Sequence, residues 1–290
     1  MADRRRLRAT FEEVPDLYDR VRPLYPAELF DDLVSFAGLE AGSRVLEIGC
    51  GTGQATLPLA ERGLEVVCVE LGERLVAVAR RKLAGFPRVE VVHAVFEEWE
   101  ASDESFDAVV AFTAFHWVDP EVKYAKAARL LRPGGCLAVA ETEHVLVEGG
   151  DPFWTEVQKD YAAAAPSDRN RPPPRPEEIA DLRVQLEETG LFSGVEVRRY
   201  LADVTYSVEE YVGVLDTYSP NRAMEPAKRE RLFDLIRRRI EARPNGRVRK
   251  TYLFTLNLAR RLSSRRRSAA PPDGAARAPR CPCAPRRRRG

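Results

Sequence analysis

Between Arg44 and Thr142 the sequence exchanges two patterns in turn, and that exchange leaves few folds open. RVLEI (44–48), EVVCVE (65–70), RVEVVHA (88–94), FDAVVAF (106–112) and CLAVAET (136–142) are short apolar runs, most of them rich in valine, and read as buried strands. QATLPLAERG (54–63), GERLVAVARRKLAG (72–85) and PEVKYAKAARLLR (120–132) read as helices. The second places Leu75, Val78, Ala79 and Leu83 on one face and stops at Gly85 and Pro87. The third starts at Pro120 behind an Asp119 N-cap and stops at Pro133-Gly134-Gly135. Strands separated by helices of this length pair in parallel, which predicts an α/β, doubly wound sheet. Ligands of such sheets sit at the carboxyl ends of the strands.

The flanks are less regular. Residues 10–39 read as a loop and then a helix from Pro26, and 151–165 as helical. SDRNRPPPRP (167–176) reads as an exposed linker, followed by a helix over 177–190. Strand character returns at 195–207, then helices at 209–219 and 227–242. RVRKTYLFTLNLARR (247–261) alternates, with Tyr252, Phe254, Leu256 and Leu258 on one strand face. Beyond it, 263–290 holds nine arginines and one acid, a net of +8 that leaves −7 for the rest of a chain of net +1. This stretch has no large apolar residue, so a disordered basic tail is expected. A solvated extension is the favoured reading and a basic arm for nucleic acid or membrane the other; the acidic body argues against a broad nucleic-acid face.

No run of about 18 apolar residues suits a membrane span, and the N-terminus lacks the apolar core of a secretory signal. Cys50, Cys68 and Cys136 are scattered and read as reduced packing residues; Cys281 and Cys283 form C-P-C, which is no usual zinc spacing. A cytoplasmic protein without a metal site is expected.

After the first strand comes LEIGCGTGQ, with Glu47 ahead of Gly49, Gly51 and Gly53. A phosphate-binding P-loop needs a lysine that is absent. A dinucleotide loop needs glycine where Gln54 stands. The spacing suits a ligand without a pyrophosphate. The second strand ends in Glu70, twenty-one residues after Gly49, where an acid accepts hydrogen bonds from both hydroxyls of a ribose.

LEIGCGTG, VCVEL, FDAVVAF and LLRPGGCLAV, in that order, resemble the class I S-adenosylmethionine-dependent methyltransferases over about residues 10–260. The resemblance implies a Rossmann-like seven-stranded sheet with an antiparallel last strand. It makes 195–206 and 248–259 the sixth and seventh strands, with a helical insertion at 207–242. The chain then divides into an N-terminal lid and first helix (1–43), a methyltransferase domain (44–262) and the tail (263–290). S-adenosylmethionine is the implied cofactor. Gly49, Cys50, Gly51 and Gly53 would pass its methionine portion, Glu47 would help hold that portion, and Glu70 with Leu71 would take the ribose. Many members place an aspartate after strand three for adenine; this chain has His93-Ala94-Val95-Phe96-Glu97, so Phe96 or Glu97 takes that role. Thr113 falls near the cofactor amino group.

YDRVRPLYP (18–26) and TAFHWVDP (113–120) resemble bacterial small-molecule methyltransferases related to trans-aconitate methyltransferases. In these the N-terminal segment folds over the cofactor and the loop after strand four faces the acceptor. Tyr18, Arg22, Tyr25 and Trp117 are thereby acceptor-side residues, and His116 the candidate general base. Arg22 pairs either with an acceptor carboxylate or with an acid of the body; Trp117 and His116 also have packing roles open to them. A carboxylate acceptor needs no base. The expected reaction is in-line transfer to a small-molecule carboxylate or hydroxyl. The rivals are an NAD-dependent oxidoreductase and a non-catalytic S-adenosylmethionine-binding protein.

Overall fold

The computed structural model describes residues 13–164 and 171–263. The expected tail from 264 onward, the first twelve residues, and most of the expected linker before 171 lie outside the described residues. Among the described residues no helix is long and apolar enough to cross a membrane.

One sheet organises the chain. Its strands are β1 (Arg44–Ile48), β2 (Glu65–Glu70), β3 (Val89–His93), β4 (Phe106–Phe112), β5 (Leu131–Val145), β6 (Phe192–Tyr206) and β7 (Val248–Arg261). The order is β3-β2-β1-β4-β5-β7-β6. The first five are parallel, and β7 runs antiparallel between β5 and β6. This is the expected seven-stranded Rossmann-like sheet with an antiparallel last strand.

Successive strand residues point to opposite faces, and both faces are covered. Val45, Val66, Val110 and Ala138 feed one core. Leu46, Val67, Val109 and Leu137 feed the other. Burial on both sides explains why these strands read as continuous apolar runs. On β7, Tyr252, Phe254, Leu256 and Leu258 all join the first core, as their alternation predicts.

Helices α1 (Pro15–Val21) and α2 (Ala27–Ala37) precede the sheet. Connecting strands are α3 (Thr56–Glu61), α4 (Glu73–Lys82) and α5 (Pro120–Leu130). Asp119 caps α5 as expected, accepting from the Glu121 amide at 3.0 Å. After β5 come α6 (Phe153–Glu156), α7 (Gln158–Ala164) and α8 (Arg183–Glu188). Between β6 and β7 lie α9 (Val208–Asp216), α10 (Ser219–Arg222) and α11 (Pro226–Glu241).

Two elements differ from expectation. The helix expected over 177–190 is a 3-10 turn at Pro176–Glu178 and then α8. The side chain of Asn257, on β7, accepts from the Leu182 amide at 2.9 Å, and Asp181 accepts from the Arg183 amide at 3.0 Å; these bonds restart the helix. Strand β5 is longer than 136–142 at both ends. Leu131 pairs with Phe106 and Cys136 with Ala108, so the Arg-Pro-Gly-Gly segment bulges out between them. At its far end, residues to Val145 pair with β7 only.

Helix α1 is wedged between α4 and α9. Its Leu17 and Val21 rest where Gly213 of α9 has no side chain; a Cβ there would stand 3.2 Å from both. Arg22, just past α1, donates to the Thr217 hydroxyl at 2.9 Å and to its carbonyl at 3.0 Å. The N-terminal segment is thus tied to the helices between β6 and β7.

Candidate active site

The glycine loop leaves β1 with its backbone in the left-handed region. Gly49 has φ +69°, and a Cβ there would lie 2.7 Å from the Cβ of Ala114, so any side chain would split the loop from the segment after β4. Gly53 has φ +80° and presses on Leu83 of α4, where a Cβ would stand at 3.0 Å. The first glycine therefore brings two loops together. The third packs loop against helix and lines no cavity.

Glu70 ends β2 facing this loop. Its two carboxylate oxygens accept from the Gly51 and Gly72 amides, each at 2.9 Å. Around it opens a first cavity whose walls include Gly49, Gly51, Glu70, Leu71, Phe96 and Thr113. Phe96 is buried, so the aromatic ring after strand three does reach this cavity. Glu97 does not line it: its carboxylate accepts from the Asp119 amide at 3.1 Å and braces the start of α5. Of the two residues offered beside adenine, Phe96 lines the first cavity and Glu97 does not.

Beneath the loop the cleft narrows between Glu47, Cys50, Gly51, Gln54, Tyr18 and Tyr25. Glu47 is only 1% exposed. One of its oxygens accepts from the Thr56 hydroxyl at 2.6 Å. The other, Oε1, is buried with no hydrogen-bond partner. Burial raises this carboxyl to about 7, against the lowering by Thr56 and Cys68. The Cys68 thiol and burial together push the Cys50 thiol well up, so it stays protonated.

A second cavity, of about 380 Å³, adjoins the first, and Tyr18 and Thr113 line both. Thr113 holds φ +53°, rare for a β-branched residue. Its amide donates to the Ala140 carbonyl at 2.7 Å, its hydroxyl shares a 2.8 Å bond with the Tyr25 phenol, and Thr142 stands 3.1 Å away on its other side. Such strain persists only where its surroundings over-determine it. Burial pushes the Tyr25 phenol well up, so it stays neutral. Arg22 also lines the second cavity, its guanidinium over the Tyr18 and Tyr218 rings at 4.9 and 4.5 Å. Its tie is to Thr217, neither of the two partners expected for it.

Two residues expected on the acceptor side lie away from the second cavity. Trp117 lines the first cavity, beside Val118, rather than the second. His116 is exposed, stacks on Trp117 at 5.0 Å and lines neither cavity. The cause is local: the 3-10 turn Phe115–Trp117 buries Phe115 and turns its neighbour outward.

The second cavity holds residues that motif reading passed over. Lys250 of β7 is 2% exposed and donates to the Tyr218 phenol at 2.8 Å. Tyr211, Tyr252 and His144 stand around it. Burial, then the Lys250 charge, press the His144 imidazole down to about 2, so it is neutral throughout the working range. The alternation on β7 carries a signal for Lys250: Val248, Lys250, Tyr252 and Phe254 share one parity, which puts a lysine on the inward face. Among the described residues no three His, Cys, Asp or Glu side chains gather as a metal site.

A parallel sheet with one antiparallel strand, a glycine loop after β1 and an acid at the end of β2 define a nucleoside-binding Rossmann-like protein. Comparisons narrow this. Residues 45–135 match a family model described as a methyltransferase domain. An uncharacterized methyltransferase of Mycobacterium tuberculosis is 40% identical over 136 residues, covering 47% of this chain and 53% of that protein. A demethylmenaquinone methyltransferase of Clavibacter sepedonicus is 37% identical over 139 residues, covering 46% and 56%. The chain thus spans about half the length of these curated relatives. A solved structure described as a type II methyltransferase, from Anaeromyxobacter dehalogenans, matches with a TM-score of 0.60 at 26% identity, over 83% of this chain and 98% of that one. A Haemonchus contortus phosphoethanolamine N-methyltransferase, in complex with phosphomonomethylethanolamine and S-adenosylhomocysteine, matches with a TM-score of 0.52 at 17% identity, over 87% and 58%; it shows the fold alone. The family match over residues 45–135 and the Rossmann-like sheet together support a class I S-adenosylmethionine-dependent methyltransferase.

Proposed function

We propose that the chain transfers a methyl group from S-adenosylmethionine to a small-molecule carboxylate or hydroxyl held in the second cavity. The observation that carries this reading is the pair of acids around one glycine loop. Glu70 lines the first cavity at the end of β2, and Glu47 has a buried oxygen with no hydrogen-bond partner below it. A ribose diol suits the former and an ammonium the latter. Related structures hold S-adenosylmethionine or S-adenosylhomocysteine, which supports the same ligand here. The three buried free thiols suit a reducing cytoplasm.

The cofactor supplies an electrophilic methyl group. The chain's part is to align the acceptor with it. Tyr18 and Thr113, common to both cavities, mark where the reacting atoms meet. Tyr25 is fixed among Phe30, Phe112 and Phe254, with ring centroids 6.3, 5.1 and 5.6 Å away, and bonded to Thr113; it gives that junction a rigid wall that keeps water out. Holding two reactants aligned supplies roughly 7–11 kcal/mol of a barrier. Neutral Tyr25 serves as a donor there, not as a base.

Isothermal titration with S-adenosylhomocysteine and with NAD tests the reading. Binding of the first and not the second is expected. Tight NAD binding without S-adenosylhomocysteine binding would defeat it and favour the oxidoreductase. Glu70→Ala is expected to weaken S-adenosylhomocysteine by about 1–3 kcal/mol through lost charge-assisted bonds; an unchanged affinity removes Glu70 from the ribose site. A tritiated-methyl assay against a metabolite extract, with mass identification of the product, identifies the acceptor, and no transfer to any component favours the non-catalytic binder.

A further inference from the structure

The general base expected at His116 lies outside both cavities, and His144 is too weakly basic to replace it. The second cavity nonetheless contains an unusual proton site. Lys250 is buried, and among the described residues no carboxylate forms an ion pair with it. Its hydrogen bond, at 2.8 Å, goes to the phenol oxygen of Tyr218. A buried ammonium without a counter-charge is strongly disfavoured. Two arrangements remove that penalty: a neutral amine beside a phenol, or an ammonium beside a phenolate.

The surroundings favour the second. The Arg22 guanidinium lies 4.5 Å from the centre of the Tyr218 ring, on a side chain fixed by its two bonds to Thr217. The phenol therefore has two cations against it, one from α1 and one from β7. Electron-rich rings also surround the Lys250 nitrogen, with Tyr252 at 4.8 Å, Trp154 at 5.7 Å and Tyr211 at 5.8 Å. These contacts and the Tyr218 oxygen favour its charged form, against burial, which draws the amine below its ordinary value. Both Tyr218 and Lys250 line the cavity.

We propose that Tyr218 is the base of the reaction, a phenolate that takes the proton of a weakly acidic O–H on the acceptor, with Lys250 and Arg22 as its positioning residues. The proposal rests on the second cavity being the acceptor site. In the step, the acceptor proton passes to the Tyr218 oxygen. The freed lone pair on the acceptor oxygen forms the new bond to the methyl carbon. The carbon–sulfur bond breaks with its electron pair on sulfur, which loses its positive charge. The phenolate and sulfonium charges are consumed together, so the products are a methyl ether, S-adenosylhomocysteine and a neutral phenol. Tyr218 then returns its proton to solvent.

Other titratable groups bear on this phenol. Burial raises it, but the Lys250 and Arg22 charges and the bonds from Lys250 and Tyr252 outweigh burial and bring it below its ordinary value. Tyr252 on β7, Tyr206 on β6, Tyr211 on α9 and Tyr161 on α7 are all raised, chiefly by burial, and stay neutral beside it. On β5, Glu143 is the opposing charge. Burial raises it too, and it acts on Lys250 from across the cavity.

Tyrosinate absorbance of the full chain, followed against pH with S-adenosylhomocysteine at saturation, reads this directly. A single tyrosine is expected to ionise below the ordinary phenol value of about 10. The step is expected to vanish in Tyr218→Phe and to move upward in Lys250→Met. With the acceptor found by the methyl assay, Tyr218→Phe is expected to lower turnover by about 10²–10⁴-fold at unchanged S-adenosylhomocysteine affinity. That affinity also reports that the variants fold. With S-adenosylhomocysteine binding intact, an absent early step, or one that persists in Tyr218→Phe, overturns the role of Tyr218 alone. Failure of the unmodified chain to bind S-adenosylhomocysteine overturns the methyltransferase reading and the catalytic role together.

Discussion

Glu47 sits at the base of the cleft with one oxygen satisfied and one not, and its carboxyl is raised to about 7 by burial. Its folded value lies above the ordinary 4.5, so between those values the folded chain holds more protons than the unfolded one. Stability contributed here is present at low pH and is lost as pH rises toward 7, by something on the order of 3 kcal/mol. Glu47→Gln removes this dependence. Urea denaturation of the ligand-free proteins is expected to find the Gln variant the more stable above neutrality, with the gap closing near about pH 4. Glu141, Glu143 and His144 are also shifted but are common to both proteins, so the difference isolates Glu47. A constant gap across pH would show that folding leaves the Glu47 carboxyl at its ordinary value.

Among the elements, α1 most directly joins sequence to site. Its contact with α9 depends on Gly213, and Gly213→Leu would press a branched side chain into Leu17 and Val21. Overpacking of this kind costs about 1–3 kcal/mol. The expected result is faster tryptic cleavage after Arg20, with weaker S-adenosylhomocysteine binding as Tyr18 withdraws. Unchanged cleavage would show that α1 does not depend on this seat. Elements also show what sequence can and cannot display. The inner parallel strands β1, β2 and β4 were legible because burial on both faces leaves them largely apolar, and the edge strand β3 from its run of valines. The cofactor side was legible because strand, loop, helix and acid are consecutive in the chain. The 177–190 helix was misread because its break comes from Asn257, 75 residues from Leu182. The acceptor side stayed hidden for the same reason. Tyr25, His144, Tyr218 and Lys250 come from four distant segments, and no local pattern joins them.

At the scale of the molecule, charge is split between an acidic body and the arginine-rich end, −7 against +8. The cavities are lined by residues from Tyr18 to Tyr252, and the last strand of the sheet ends at Arg261. Deleting 264–290 is therefore expected to leave S-adenosylhomocysteine affinity and methyl transfer unchanged, checked by titration and the tritium assay. A dead truncation would give the basic end a role in the chemistry.

Tyr18 forms wall to both cavities and belongs to a short helix fastened at Arg22 and Gly213. Under the proposed reaction, this one helix walls the sites of both products. We expect release of the methylated acceptor and of the spent cofactor to share one opening, so that their off-rates rise and fall together. A change that tightens the α1 seat would slow the whole cycle at product escape while leaving the chemical step as fast as before.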